Sequence, residues 1–352
     1  MRNLSVKEYT DNEILGLLGR EPVERNLATL KGFYKGKVVL VTGGAGSIGT
    51  ELVKLLVDLE ASKVIVYDWW ENGMFYLQHT IESKNVVYII GDVKSKKLGK
   101  VMHRYKPEIV LHVSAYKHVP LMQDNPIEAF NNNVYGALNC MEMAIKHKVK
   151  NFVLVSTDKA VNPTNVMGAT KRVCELLMER MEGSIFNAVR FGNVIQSNGS
   201  VVPIFLQQLR EGKDLTVTHK NITRYFMTKR EAAELILQSA MIAENGDIFL
   251  LDMGEPIRIY DLAQALIKDN RSKSKVVITG LRRGEKMSEE LCYNDKIMDK
   301  TQEGKIFRIK KVVTGKKLEG IVRKTLEKSL NYEMEDANLI ALLIKLGFSV
   351  QR

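Results

Sequence analysis

A glycine-rich turn between a buried strand and a helix constrains this chain more than any other feature. Lys37–Thr42 (KVVLVT) is a β-branched run typical of a buried parallel strand, and a helix pattern covers about 47–59. Gly43, Gly46 and Gly49 lie at the spacing G-x-x-G-x-x-G where these two patterns meet. The first glycine permits the tight turn, the second lets backbone approach a pyrophosphate, and the third lets the helix pack close to the sheet. In this context the spacing predicts a dinucleotide-binding βαβ unit.

The identity of the dinucleotide is indicated by the acidic residue that ends the next strand. Asp68 lies 19 residues after Gly49. We expect Asp68 to accept hydrogen bonds from the adenosine ribose, and its charge disfavours a 2′-phosphate, so NAD is favoured over NADP. The helix start at Ser47 and Ile48 offers free N–H groups to the phosphates. Asp92, after a further strand, is predicted either to face the adenine or to belong to a plain turn.

Strand and helix patterns alternate along the first part of the chain. Short apolar strands separated by helices of about 12–20 residues predict βαβ units and therefore a parallel sheet. We predict an α/β fold, namely a Rossmann-type doubly wound parallel sheet with a smaller C-terminal substrate-binding lobe. The predicted units are an N-terminal helical extension (1–35), an NAD-binding Rossmann domain (36–192, with about 226–252 returning to it), a substrate-binding lobe (193–300) and a basic C-terminal extension (301–352).

The net charge of +11 is concentrated near the C-terminus. The stretch 301–324 holds eight Lys/Arg against two Asp/Glu. A solvated surface is the simpler interpretation of this run, and peripheral contact with an anionic membrane is the alternative. Because aromatic residues are not interleaved with the basic ones and no zinc-finger or RNA-binding motif is present, we do not predict a nucleic-acid partner.

Apolar runs and cysteines limit the cellular setting. No apolar run approaches the roughly 18 residues of a membrane span, and the first residues lack the apolar core of a signal peptide. Cys140, Cys174 and Cys292 are far apart, which excludes a disulfide framework and a cysteine-rich zinc site. We therefore expect a cytoplasmic protein without a metal site.

A long run after the strand at 152–155 makes the chain recognisable. Residues 156–172 read STDKAVNPTNVMGATKR, and they are accompanied, in order along the chain, by AYKHVPL (115–121), RFGNV (190–194), TRYFMT (223–228) and GLRRGEK (280–286). Together these segments resemble the UDP-N-acetylglucosamine 4,6-dehydratases of the polysaccharide-biosynthesis family, a nucleotide-sugar branch of the extended short-chain dehydrogenase/reductases. The resemblance runs from about Leu17 to Leu291, and it implies a UDP-sugar substrate, bound NAD and a homodimer or higher homo-oligomer.

The resemblance also implies roles for an adjacent Asp-Lys pair. In that family the hexose is oxidised at carbon 4, and water is then lost across carbons 5 and 6. Asp158 corresponds to the acid that protonates the leaving hydroxyl, and Lys159 to the base that takes the carbon 5 proton. Asp158 must then hold a proton near neutrality and Lys159 must lose one, which a desolvated pocket would favour. Neighbours on a regular strand point apart, so we expect an irregular turn at this pair.

Met167 departs from the superfamily pattern Tyr-x-x-x-Lys. Lys171 lies four residues later on the same helix face and is expected to bind the nicotinamide ribose. Methionine carries no proton, so we expect Thr157 to deprotonate the carbon 4 hydroxyl with the help of Lys171; Lys171 itself or a water is the alternative. Family members with methionine here are chiefly larger, membrane-anchored forms that retain the configuration at carbon 5, which favours the retained product.

The remaining implied contacts concern the substrate. Lys117 corresponds to a sugar contact, and Asn193 to a contact with the sugar or the diphosphate. Arg224 and Arg282 correspond to contacts with the diphosphate, and Glu285 to a contact with the uridine ribose. Ordinary surface ion pairs are the alternative for each. Guanidinium groups suit phosphate because they donate paired hydrogen bonds. Three other functions stay open: a 4-epimerase, a dehydratase that inverts carbon 5 or uses GDP-N-acetylglucosamine, and a non-catalytic NAD-binding protein.

Overall fold

Helices and strands alternate along the chain in the computed structural model, which describes residues 6–17, 19–21, 27–292, 298–301, 305–309, 318–331 and 333–351. The helices are α1 (Asp11–Leu17), α2 (Leu27–Tyr34), α3 (Ser47–Asp58), α4 (Glu71–Thr80), α5 (Lys97–Tyr105), α6 (Val119–Asp124), α7 (Pro126–Phe130), α8 (Gly136–Lys146), α9 (Val166–Met178), α10 (Val201–Arg210), α11 (Lys229–Ile242), α12 (Ile259–Asp269), α13 (Leu318–Leu330) and α14 (Asp336–Lys345). The strands are β1 (Val38–Thr42), β2 (Lys63–Asp68), β3 (Val86–Ile90), β4 (Ile109–His112), β5 (Asn151–Val155), β6 (Ile185–Arg190), β7 (Asn193–Val194), β8 (Leu215–Val217), β9 (Thr223–Arg224), β10 (Phe226–Met227), β11 (Asp247–Leu251), β12 (Ile257–Arg258), β13 (Val276–Ile278), β14 (Met298–Lys300) and β15 (Ile306–Ile309).

Nine of the described strands form one sheet in the order β3-β2-β1-β4-β5-β6-β11-β15-β14. The strands from β3 to β11 pair in parallel, and β15 and β14 complete the sheet in antiparallel pairing. The order 3-2-1-4-5-6 is that of a doubly wound Rossmann sheet, and the chain reverses direction across the sheet between β1 and β4. The predicted fold class is confirmed.

Both faces of this sheet are buried under helices. In β1, Val39 and Val41 join the core that contains α3 and α11, whereas Leu40 joins the opposite core with α8 and α9. Strands covered on both faces need apolar residues at successive positions, which explains why β1 and β2 consist largely of consecutive apolar residues. The C-terminal helices α13 and α14 also pack in the second of these cores.

The helical stretch from α7 to α8 contains a wide turn. Between α7 and α8, Asn131–Tyr135 forms a π-helical turn. Asn133 Oδ1 accepts a hydrogen bond from the Tyr116 N–H at 2.7 Å, and Asn133 Nδ2 donates to the Tyr116 carbonyl and to Thr170 Oγ1, both at 3.1 Å. The turn thus fixes the loop that follows β4 against α9.

A smaller third core lies beyond the main sheet. It is formed by α1, α10, α12, β8 and neighbouring segments.

In the described part of the chain, no helix combines the length and apolar character that crossing a membrane requires. The predicted domain boundaries remain predictions.

Half of the basic run lies outside the described residues, namely Lys310, Lys311, Lys316 and Lys317. Two of its described members form ion pairs on the protein itself: Arg308 contacts Asp247 at 3.2 Å and Arg323 contacts Glu142 at 2.7 Å. Membrane contact through this run therefore stays a prediction.

Candidate active site

The glycine turn after β1 has the close backbone packing that its spacing predicts. Gly43 has a φ of +68°, and a Cβ there would lie 2.6 Å from the backbone nitrogen of Ser114. A Cβ on Gly49 would lie 2.2 Å from the Gly43 carbonyl oxygen, whereas one on Gly46 would meet that same oxygen at 3.2 Å. Among the described residues, no side-chain hydrogen bond caps α3 at its N-cap residue Gly46. The turn therefore leaves a narrow cradle with a free helix N-terminus, which suits a pyrophosphate.

Asp68 is built into this cradle. Its Oδ2 accepts a hydrogen bond from the Ala45 N–H and its Oδ1 from the Trp70 N–H, both at 3.0 Å. Burial raises the pKa of Asp68, although the backbone hydrogen bonds from Trp70 and Ala45 oppose the shift. Asp92 lies in a turn, where its Oδ1 accepts from the Lys94 N–H at 2.8 Å. Contact between Asp92 and an adenine stays a prediction.

Lys171 and Met167 lie one turn apart on α9, and both are nearly buried. Burial lowers the pKa of Lys171. At the end of β4, the His112 Nδ1 lies 2.8 Å from Thr42 Oγ1, while its Nε2 has no hydrogen-bond partner among the described residues. Burial and the nearby Lys171 charge lower the pKa of His112 to about 3, so the imidazole is neutral. The contact of Lys171 with a nicotinamide ribose stays a prediction.

The Asp-Lys pair occupies an irregular turn at the end of β5. Asp158–Ala160 forms one turn of 3₁₀ helix, and Asp158 is fully buried. Asp158 Oδ1 accepts hydrogen bonds from Lys159 Nζ and from Thr157 Oγ1, both at 2.9 Å. Lys159 Nζ also donates to Asn193 Oδ1 at 3.1 Å. The turn brings both side chains together, as expected, and adds Asn193 from β7.

The charge state of Lys159 differs from the expected one. Burial disfavours the ammonium, but the Asp158 carboxylate at 2.9 Å and the Glu289 carboxylate at 3.7 Å outweigh it and raise the pKa of Lys159. The expectation that a desolvated pocket would favour loss of the Lys159 proton is therefore wrong for the protein alone. The physical reason is that burial also strengthens the attraction between opposite charges.

A buried ion pair between α9 and β6 supports the turn that carries Asp158 and Lys159. Glu175 on α9 accepts from Arg190 Nε and Nη2, both at 2.7 Å, and from the Ser156 hydroxyl at 2.6 Å. Arg172 contacts the same carboxylate at 2.9 Å. Glu175 and Arg190 are fully buried, and Ser156 lies two residues before Asp158. The network ties the acid–base turn to α9 and β6.

The predicted substrate residues fall into two groups. Lys117 is exposed and its Nζ donates to Ser197 Oγ at 3.3 Å; Arg282 is also exposed. Arg224 is buried, and its guanidinium donates to the carbonyls of Thr223 and Lys286 and to Glu285. The protein alone thus uses Arg224 to hold the loop at 285–287. Contact between Arg224 and a diphosphate stays a prediction, and it requires an exchange of partners.

Glu289 is a site residue that the motifs do not indicate. It is 8% exposed, and its Oε1 lies 3.7 Å from Lys159 Nζ and 3.9 Å from Arg224 Nε. Burial raises the pKa of Glu289, against the opposing charge of Lys159. It follows the segment 280–286, but nothing in the sequence distinguishes it from the exposed Glu290 beside it.

Comparison with known proteins decides the family. A family profile described as "Polysaccharide biosynthesis protein" matches residues 39–311. The chain belongs to this polysaccharide biosynthesis protein family. The family member described as capsular polysaccharide biosynthesis protein CapD from Staphylococcus aureus is 41% identical over 318 residues, which cover 87% of this chain and 53% of that protein. This chain thus spans about half the length of that relative.

Two shorter relatives have more specific names. A UDP-N-acetylglucosamine 4,6-dehydratase (inverting) from Campylobacter jejuni is 33% identical over 270 residues, covering 74% of this chain and 79% of that protein. A UDP-glucose 4-epimerase from Rickettsia canadensis is 34% identical over 284 residues, covering 78% and 82%.

Solved structures share the fold of this family member. Bacillus thuringiensis Pen superposes with a TM-score of 0.75 at 34% identity, covering 81% of this chain and 90% of Pen. A dTDP-glucose 4,6-dehydratase from Streptomyces venezuelae, solved with NAD bound, superposes with a TM-score of 0.68 at 21% identity, covering 82% and 97%. At 21% identity, the similarity to the Streptomyces enzyme shows only that the two proteins share a fold.

Proposed function

We propose that this polysaccharide biosynthesis protein is an NAD-dependent 4,6-dehydratase of UDP-N-acetylglucosamine. Its product is a UDP-2-acetamido-2,6-dideoxy-4-keto-hexose with the configuration at carbon 5 retained, destined for surface polysaccharide or glycan. The observation that carries the proposal is the contact between Asp158 Oδ1 and Lys159 Nζ in a buried turn at the carboxyl end of a Rossmann sheet. The name of the Campylobacter relative supports 4,6-dehydration of UDP-N-acetylglucosamine. That relative is named inverting, and retention at carbon 5 is proposed from Met167 instead.

The cradle after β1 supports NAD as the cofactor. Gly43, Gly46 and Gly49 leave room for a pyrophosphate, Asp68 lies beside the cradle with its carboxylate held by backbone N–H groups, and Lys171 extends from α9. The chemistry that NAD supplies in this reaction is reversible hydride transfer with carbons 4 and 6. An acidic residue at the position of Asp68 opposes the 2′-phosphate of NADP.

The Asp158–Lys159 pair holds the proton that the elimination needs. Transfer of one proton from the Lys159 ammonium to the Asp158 carboxylate, across their hydrogen bond, produces a carboxylic acid and a free amine. Lys159 then takes the proton from carbon 5, and Asp158 gives its proton to the leaving hydroxyl of carbon 6. This step returns the pair to the carboxylate and ammonium. Thr157 remains the proposed base for the carbon 4 hydroxyl.

Product analysis tests the proposal. The purified protein is incubated with UDP-N-acetylglucosamine, and NMR of the product is recorded. A 6-deoxy-4-keto sugar is expected, and the coupling at carbon 5 reports retention or inversion. Absence of any 4-keto product contradicts the proposal. A matched incubation with GDP-N-acetylglucosamine tests the nucleotide.

Two substitutions test the acid–base assignment. Asp158→Asn and Lys159→Ala are each expected to lower turnover by about 10²-fold or more while NAD stays bound. Lys150→Ala is the control, because Lys150 lies next to the start of β5 with an exposed side chain paired only to Glu108 in the described structure. Full activity of either site variant contradicts the roles.

A 4-epimerase is the second candidate, favoured by the name of the Rickettsia relative. Epimerisation keeps the carbon 6 hydroxyl and changes the configuration at carbon 4, so the same NMR experiment separates the two reactions. Met167 counts against an epimerase, since epimerases of this branch generally carry tyrosine at that position.

A further inference from the structure

A second carboxylate faces the Lys159 ammonium from a distant part of the chain. Glu289 Oε1 lies 3.7 Å from Lys159 Nζ, on which Asp158 Oδ1 already makes a 2.9 Å hydrogen bond. Glu289 belongs to the loop after Gly284, whereas Asp158 belongs to the turn after β5. Two buried carboxylates from different segments therefore lie within 4 Å of the ammonium.

The surroundings of Glu289 are unfavourable for a charged side chain that only fills space in the interior. Its Oε2 is buried and has no hydrogen-bond partner among the described residues. An unpartnered buried carboxylate oxygen is unfavourable, and an apolar side chain of similar size would avoid the cost. The charged groups that act on Glu289 are Lys159, Asp158, Arg224 and Lys286. Of these, Asp158 and Lys159 form the acid–base pair itself.

We propose that Glu289 is a positioning residue of the acid–base site, whose carboxylate stabilises the Lys159 ammonium alongside Asp158 and sets its charge state before substrate binds. The proposal deepens the proposed function and rests on it only for the role of Lys159 as a base. Glu289 arrives on the same loop as Arg282 and Glu285, the residues implied to contact the diphosphate and ribose.

The electrostatic consequence has a definite sign. The Glu289 charge favours the ammonium, so its removal should lower the pKa of Lys159. An opposite charge at this range shifts a pKa by about one unit or more. At a fixed pH below that pKa, the free-amine fraction of Lys159 should rise by about tenfold or more.

Chemical labelling measures this fraction without relying on enzymatic activity. Wild type, Glu289→Gln and Glu290→Gln are reductively methylated with formaldehyde and cyanoborohydride between pH 7 and 10, and the rate at Lys159 is read by peptide mass spectrometry. The Lys159 side chain is 16% exposed, which admits a small reagent. Glu290→Gln is the matched control, because Glu290 is exposed and pairs with Lys286.

We expect Glu289→Gln to speed the labelling of Lys159 by about tenfold, with Glu290→Gln matching wild type. Superimposable rates in folded wild type and Glu289→Gln overturn the proposal. Should Glu289→Gln not fold, Glu289→Asp serves instead, since a shorter side chain moves the carboxylate away from Lys159. An intermediate acceleration then supports the proposal, and an unchanged rate overturns it.

The pH profile of kcat/KM for keto-sugar formation separates positioning from mere packing. Because the elimination needs the one proton that Asp158 and Lys159 share, turnover should fall at high pH, where Lys159 loses that proton to solvent. This falling limb should move to lower pH in Glu289→Gln by the amount seen in labelling. A lower rate at every pH with an unmoved limb indicates packing alone and contradicts the proposal. Altered labelling in a protein that forms no keto sugar would leave this inference standing while the proposed function fails.

Discussion

The buried pair of Glu175 and Arg190 offers a sharp test of how the acid–base turn is supported. Glu175→Gln keeps the shape of the side chain but removes the carboxylate charge that lies 2.7 Å from Arg190 at a fully buried position. Breaking a buried pair by removing one partner costs about 3–5 kcal/mol. The Ser156 hydroxyl also loses a charged acceptor at 2.6 Å.

The pKa of Glu175 gives a second way to calculate how much the Glu175–Arg190 pair contributes to the free energy of unfolding. Burial alone would raise this pKa, but the Arg190 charge and hydrogen bonds, together with Arg172, hold it at about 2, against 4.5 for an ordinary glutamate. At 1.36 kcal/mol per unit, this difference corresponds to about 3 kcal/mol of folding free energy. Because the folded-state pKa is depressed, this contribution is present above about pH 5 and is lost as the pH falls towards 2.

Thermal and urea unfolding at pH 7 and at pH 4 check the reasoning. Glu175→Gln should lower the unfolding free energy by about 3 kcal/mol at pH 7, and the gap to wild type should narrow as the pH falls. The control is Glu211→Gln, which removes the same charge from an exposed pair with Lys213 and should have far less effect. A Glu175→Gln variant no less stable than Glu211→Gln would refute the argument.

Two further predictions concern the cofactor cradle and the methionine on α9. Gly49→Ala would place a Cβ 2.2 Å from the Gly43 carbonyl oxygen, so NAD affinity measured by calorimetry should fall by about tenfold or more. Gly16→Ala on α1 meets no atom within 4 Å and should bind NAD normally. Met167 is 3% exposed, so Met167→Tyr should overpack the site and lower turnover. A gain in turnover would instead show that a phenol base can be restored there.

Local patterns predicted the central strand β1 well. The run at 37–42 corresponds to β1 (Val38–Thr42), because a strand buried on both faces is apolar at successive positions. The glycine cradle and Asp68 could also be predicted, because both lie within one βαβ unit and their spacing can be read from the sequence. The Asp-Lys pair came from a resemblance carried by neighbouring residues.

Contacts between distant segments could not be predicted in this way. Glu289 reaches Lys159 only because the loop after Gly284 folds over the end of β5, and its spacing carries no signal. Arg224 has the side chain that suits phosphate, yet the carbonyls of the 285–287 loop occupy it in the folded chain. The raised pKa of Lys159 likewise depends on two carboxylates from different segments.

The π-helical turn at Asn131–Tyr135 can also be seen as one residue more than a regular helix would need. Removing that residue would join α7 and α8 into one continuous helix and rotate one against the other by about 100°. Asn133 would then turn away from Tyr116 and Thr170, to which it now bonds. A relative that lacks the extra residue would need another means of anchoring the loop after β4. The number of residues between α7 and α8 should therefore distinguish relatives that share this loop from relatives that share only the sheet.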